Sequence, residues 1–213
     1  MDKRIDNREM EYHHLNLYLR NMQIIKYRLN VIKAVKTNRL PDNFSFFNNV
    51  EFCVLQIRKI LELIAYSSLV SDADIYEQRL GSIEKMWNAN LILKDIERIH
   101  ANYYPRPIEV DPNDNTETKW IDKSKAYLSR EEFEKVYNKC GKLLHEYSPF
   151  EQNSTIENEY NMVWNSIDEW VEHIEELLST HIIWLYNERL FFIAFGDGDT
   201  EPKGRLMQKE SAY

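Results

Sequence analysis

The chain has 213 residues, with 27 Lys+Arg against 35 Asp+Glu, a formal net charge of -8. At 43% hydrophobic and 29% charged, with only 5 Gly and 6 Pro, it is not collagenous, low-complexity or broadly disordered, and it is long enough to bury one core without disulfide staples. The acid excess also argues against a protein whose whole surface grips nucleic acid, because such binding rests on neutralising phosphates with Lys and Arg.

Helical periodicity dominates the first 180 residues. Leu15, Met22, Ile25, Leu29 and Ile32, around Tyr18 and Leu19, recur in steps of three and four and predict a long first helix that ends at 38–41. Val50, Val54, Ile57, Leu61 and Ile64 predict a second helix, with Arg58, Lys59 and Glu62 set among them. The run 71–74, Ser-Asp-Ala-Asp, reads as a break and an N-cap before a third helix over about 75–99, which holds Leu80, Ile83, Trp87, Leu91 and Ile96 and is weakened at Gly81. Three prolines and many turn formers make 103–119 an exposed loop. Ser129 followed by Glu131 and Glu132 is a helix start, and the helix it opens presents Phe133, Val136, Tyr137, Cys140 and Leu144 on one side until Pro149. A further amphipathic helix over about 155–179 follows from Ile156, Tyr160, Val163, Trp164, Ile167, Val171, Ile174 and Leu178. The texture then changes. Two β-rich runs, 181–186 and 189–195, flank Asn187-Glu188, and Gly-Asp-Gly-Asp at 196–199 precedes a short third run, which together read as a β-hairpin or three-stranded meander whose aromatic residues Trp184, Phe191, Phe192 and Phe195 pack on the helices. The expected architecture is therefore mainly α: a bundle of about five helices over 1–180, with a β-rich appendage over 181–213 packed on the same domain.

The charge is unevenly placed. Residues 151–180 hold Glu151, Glu157, Glu159, Asp168, Glu169, Glu172, Glu175 and Glu176 and no Lys or Arg, which leaves 27 charges of each sign in the rest of the chain. A helix of one sign is usually a solvated face, and it also suits a basic protein partner. The charged N-terminal stretch has no apolar h-region and the longest purely apolar run, 190–195, is far short of a membrane span, while Cys53 and Cys140 match no metal or redox motif. A reduced cytoplasmic chain with no membrane role is the simple expectation.

Nothing supports a cofactor: the phosphate-loop, dinucleotide, nucleophile-elbow and zinc-protease motifs are all missing, and His13, His14, His100, His173 and His181 are scattered without metal-ligand spacing. The alternation at Asp197, Asp199 and Glu201 stops short of a calcium loop, so no metal is expected. The most suggestive segment is 133–150. On an ideal helix Lys135, Lys139 and Lys142 form one stripe opposite Phe133, Val136, Cys140 and Leu144, with His145 beside it. Such lysines are usually a solvated face. A cation for phosphate beside an imidazole is also the minimal equipment for metal-independent RNA cleavage, in which the 2′-hydroxyl is the nucleophile.

The order of a long helix, a second helix reading RKILELIAYSSL, a third helix, a loop, and a helix ending KCGKLLHEYSPF resembles the HEPN superfamily over about residues 8–180. The resemblance implies a small helical bundle of prokaryotic defence and toxin–antitoxin systems, often dimeric, whose active members are metal-independent ribonucleases with an Arg, four to six residues, then a His. It places the signature His at His145 and the Arg position at Lys139, and it sets Glu62 where many members have a carboxylate. Lys in place of Arg loses the planar bidentate fork. The first expectation is thus a HEPN-like interaction or dimerisation module, a homodimer or one that takes a protein partner through the acidic helix 155–179. The second is an active ribonuclease using His145 with Lys139 or Lys142, which keeps RNA open as a ligand. The third is a structural helical adaptor.

Overall fold

The computed structural model describes residues 3–38, 45–80, 88–111, 113 and 119–208. Six helices, α1 (Lys3–Asn38), α2 (Phe46–Ser71), α3 (Ala73–Leu80), α4 (Ala89–Glu97), α5 (Arg130–Leu143) and α6 (Asn153–Leu178), are joined by five strands, β1 (Arg106–Val110), β2 (Trp120–Asp122), β3 (Thr180–Trp184), β4 (Arg189–Ala194) and β5 (Lys203–Gln208). The protein is mostly helical, with one antiparallel sheet in the order β2-β1-β3-β4-β5.

The apolar stripes explain the helical layer. Every residue named above for the first helix from Leu15 to Ile32 is buried except Leu19, which packs against the core from a partly exposed position. α2 is buried on most of its circumference, from Val50, Cys53 and Val54 through Ile64, Ala65 and Leu69. It accordingly lies at the centre, against α1, α4, α5 and α6. Side-chain caps fix three starts: Ser45 accepts from the Asn48 amide, Asn88 from the Leu91 amide at 3.2 Å, and Ser129 from the Glu132 amide at 3.2 Å, with Glu131 and Glu132 in the first turn of α5.

Three expectations are corrected. The single third helix is two, α3 and α4, and Asn88 supplies the second with its own N-cap. Gly81, Ile83 and Trp87 lie outside the described residues. Among the described residues there are therefore six helices where about five were expected. The exposed loop 103–119 contains β1, with Tyr103, Ile108 and Asp111 buried. Pro105 and Pro107 fix their own φ and bias the residues before them to extended backbone, so the segment is already set to join a sheet. Its register with β3, Arg106↔Ile182 and Pro107↔His181, recruits β1 and β2 to the meander and gives five strands instead of two or three.

The third correction concerns the aromatic strands. Because side chains alternate across a strand, Ile183, Phe191, Ile193 and Phe195 face the helices and join the main core, whereas Ile182, Leu190, Trp184 and Phe192 belong to a second cluster with Ile108 and Trp120. Trp120 stacks on Phe192 with ring centroids 5.0 Å apart. Phe191 and Phe195 pack on the helices as expected; Trp184 and Phe192 do not. The β3–β4 turn has three residues, Tyr186 to Glu188, closed by the Leu185 amide on the Arg189 carbonyl at 2.8 Å, and Glu188 takes the left-handed position at φ 64°.

The layers are tied by polar groups that helical or strand patterning does not reveal. His181 of β3 is fully buried. Its Nδ1 donates to the Leu178 carbonyl at 2.9 Å, since a carbonyl only accepts, and Nε2 therefore accepts from the Tyr18 hydroxyl at 2.8 Å. Lys26 reaches from α1 to the β4–β5 turn, donating to the Gly196 carbonyl at 2.9 Å and the Thr200 carbonyl at 2.5 Å.

Candidate functional site

Lys139 and Lys142 stand on the outward side of α5, at i and i+3, and both turn toward α6. Lys139 Nζ donates to Glu159 Oε1 at 2.7 Å, and Lys142 Nζ to Oε1 and Oε2 at 3.0 and 2.9 Å. The Tyr147 hydroxyl donates to Oε2 at 2.9 Å from the segment joining the two helices. Glu159 is 8% exposed. Burial opposes its ionisation, but the hydrogen bonds from both lysines and Tyr147 outweigh it and hold its pKa down to about 2. The two cations expected to meet phosphate are thus already on a carboxylate of this chain.

His145 follows α5 in an exposed bend, where its amide donates to the Lys142 carbonyl at 3.3 Å. Among the described residues its ring makes no hydrogen bond or ion pair, so nothing orients it toward the lysines or toward Glu62. Glu62 lies on the other side of α5. It pairs with Arg58 at 3.4 Å, one turn earlier in α2. The Arg58 guanidinium donates to the Tyr137 hydroxyl at 3.1 Å and lies 4.5 Å from that ring's centroid. It approaches α5 at Gly141, where a Cβ would come within 2.8 Å of Arg58 Nη1. Cys140, between these groups, is buried, and burial pushes its thiol up to about 12, with Arg58 opposing. It is a packing residue without thiolate character at neutral pH.

The structure therefore joins Lys139 with Lys142, sets Glu62 in a separate brace between α2 and α5, and gives the His145 ring no hydrogen bond or ion pair to either among the described residues. The sequence reading missed Glu159, Tyr147, Arg58 and Tyr137. One signal was available for the first: Glu159 lies in the four-residue series with Val163, Ile167 and Val171, all buried, and a carboxylate in a core stripe needs partners.

The acidic helix is also partly neutralised. Lys33 pairs with Glu175 at 2.6 Å, Lys36 with Asp168 at 2.9 Å, Lys125 with Glu172 at 3.0 Å and with Glu176 at 2.6 Å, and Lys123 with Glu176. A run of one sign in sequence becomes a seam of mixed sign in space. Among the described residues no three His, Cys, Asp or Glu side chains come together as a metal-ligand set, and no helix is long and apolar enough to cross a membrane. Comparison with protein-family models, curated proteins and solved structures gives no match.

Proposed function

We propose that the chain is a HEPN-like helical interaction module of a prokaryotic defence or toxin–antitoxin assembly, working by dimerisation or by docking on a protein partner rather than by cleaving RNA. The observation that supports this reading is the capture of Lys139 and Lys142 by Glu159, which competes with any phosphate for both cations. The partner-facing surface is the outer side of α6. There Glu157 and Glu169 are exposed, Asp168 and Glu172 keep 71% and 58% of their side chains accessible despite their lysines, and Met162 presents an apolar group 66% exposed among them. Exposed ion pairs of this kind are weak, so a basic partner can exchange for them.

A second reading, the metal-independent ribonuclease, draws on a different observation. Arg58 brings a planar guanidinium to α5 at Gly141, one turn before the exposed His145, and so offers nearby the fork that Lys139 lacks. One experiment separates the two. Purified protein is incubated with labelled RNA and chelator, as the unmodified chain and as His145→Ala, with its mass in solution measured in parallel. A dimer or complex without cleavage supports the module; cleavage abolished by His145→Ala overturns it in favour of the nuclease.

A further inference from the structure

The junction between α2 and α3 holds a second polar constellation, unrelated to the lysines of α5. Asp72, with 1% of its side chain exposed, accepts from the Tyr186 amide through Oδ1 at 3.1 Å and faces His100 Nδ1 through Oδ2 at 3.0 Å. In the neutral ring the carboxylate fixes the tautomer: Nδ1 carries the proton, and Nε2, across the ring, is an acceptor with no partner among the described residues. His100 lines a cavity of about 230 Å³ together with Asn102, Trp184, Leu185, Tyr186 and Glu188.

The one carboxylate among the described lining residues is Glu188. Among the described lining residues there is no Lys or Arg, and Glu188 makes no ion pair. Asp72 stands behind the imidazole and adds a second carboxylate to that of Glu188. Trp184 and Tyr186 add aromatic faces, whose quadrupoles attract cations. The Tyr186 ring already shows this on one side, where the Arg79 guanidinium lies 5.1 Å from its centroid and donates to its hydroxyl at 2.8 Å. Imidazole nitrogen, carboxylate and amide oxygen are acceptors waiting for donors. An anion would meet Glu188 and Asp72; a neutral apolar ligand would leave Nε2 unpaired.

We propose that this cavity binds an organic cation, an alkylammonium or guanidinium group, seated against Trp184 and Tyr186 with an N–H on His100 Nε2 and its charge balanced by Glu188. Such a group comes from a free amine or from a Lys or Arg side chain of a basic segment. The chemistry at the wall is the same for both.

The test uses the full-length ¹⁵N-labelled chain and follows backbone and indole signals during titration with methylguanidinium and n-butylammonium chloride at constant ionic strength. N-methylurea and butyrate serve as neutral and anionic controls. The expected result is a saturable shift at the Trp184 indole and the Tyr186 and Glu188 amides with the two cations and none with the controls. Glu188→Gln, an exposed site whose change leaves the fold intact, weakens the cation about three- to five-fold. A capped Gly-Arg-Gly peptide that binds more tightly than methylguanidinium assigns the site to a protein segment, and one that binds less tightly assigns it to a free amine. Shifts that never saturate, that N-methylurea reproduces, or that Glu188→Gln leaves unchanged would overturn the proposal.

Discussion

Glu159 shows how much one side chain organises. Its pKa of about 2 lies below the carboxylate value of the unfolded chain, so its contribution to stability is present above about pH 4.5 and is lost as pH falls toward 2. Glu159→Gln should lower stability at pH 7 by about 1–2 kcal/mol, since the two lysines lose their counter-charge and one of the two acceptor oxygens becomes a donor, and should flatten the stability profile between about pH 4.5 and 2. Urea midpoints at pH 7, 4 and 2.5 measure both effects. His181 acts in the same direction at higher pH. Burial holds its pKa down to about 4, so the folded chain keeps the ring neutral while the unfolded chain takes up a proton from about pH 6.5 downward. Stability should therefore fall between about pH 6.5 and 4, and His181→Gln should remove that part of the slope; melting temperatures at pH 7.5 and 5 decide it. The sequence displayed His181 as one scattered histidine. Its partners, Tyr18 and Leu178, are respectively 163 residues away and in the preceding helix, and no local pattern links the first to it.

At the scale of elements, strand parity decides which aromatics hold the sheet to the helices. Phe191 is fully buried against α1 and the main core, where its ring meets Tyr18 with centroids 6.1 Å apart, while Phe192 lies in the smaller cluster under Trp120. Phe191→Ala should cost about 3–5 kcal/mol in chemical denaturation and Phe192→Ala distinctly less. An equal cost would mean that the two faces are equivalent. The contact of β5 with α1 is as close. A Cβ on Gly204 would lie 2.9 Å from terminal methyls of Ile193 and Leu15 and 3.3 Å from Leu19, so Gly204→Ala should destabilise by about 1–3 kcal/mol, read as a lowered melting temperature. Helices were the legible part of the sequence, because a stripe of five or more apolar residues at the helical period has few other interpretations. The short strand β1 was not: two of its five residues are a proline and an arginine, and it pairs with β3 at only two positions across 75 residues of chain.

For the whole molecule, one buried cluster runs from Leu15 in α1 through α2, α4, α5 and α6 to Phe191, Ile193 and Phe195 on the sheet's inner face. The helices and the C-terminal strands should therefore unfold together, giving coincident transitions by far-ultraviolet circular dichroism and by tryptophan fluorescence; a separate early transition of the tryptophan signal would contradict a shared core. The same view reinterprets the net charge of -8. The eight acids of 151–180 are concentrated in sequence, yet α1, the segment after β2, and α5 bring Lys33, Lys36, Lys123, Lys125, Lys139 and Lys142 to five of them. By itself the sequence determined the positions of the long helices, their buried faces, the cap at Ser129 and the existence of C-terminal strands, because each is written in the spacing of neighbouring residues. Tertiary structure alone decided that Lys139 and Lys142 share Glu159, that Arg58 joins Glu62 to Tyr137, that Pro107 of β1 enters a sheet, and that His100 faces a cavity with Asp72 behind it. Those outcomes depend on which helices and strands lie side by side, and charge pairing acts over a few ångströms of space whatever the distance along the chain.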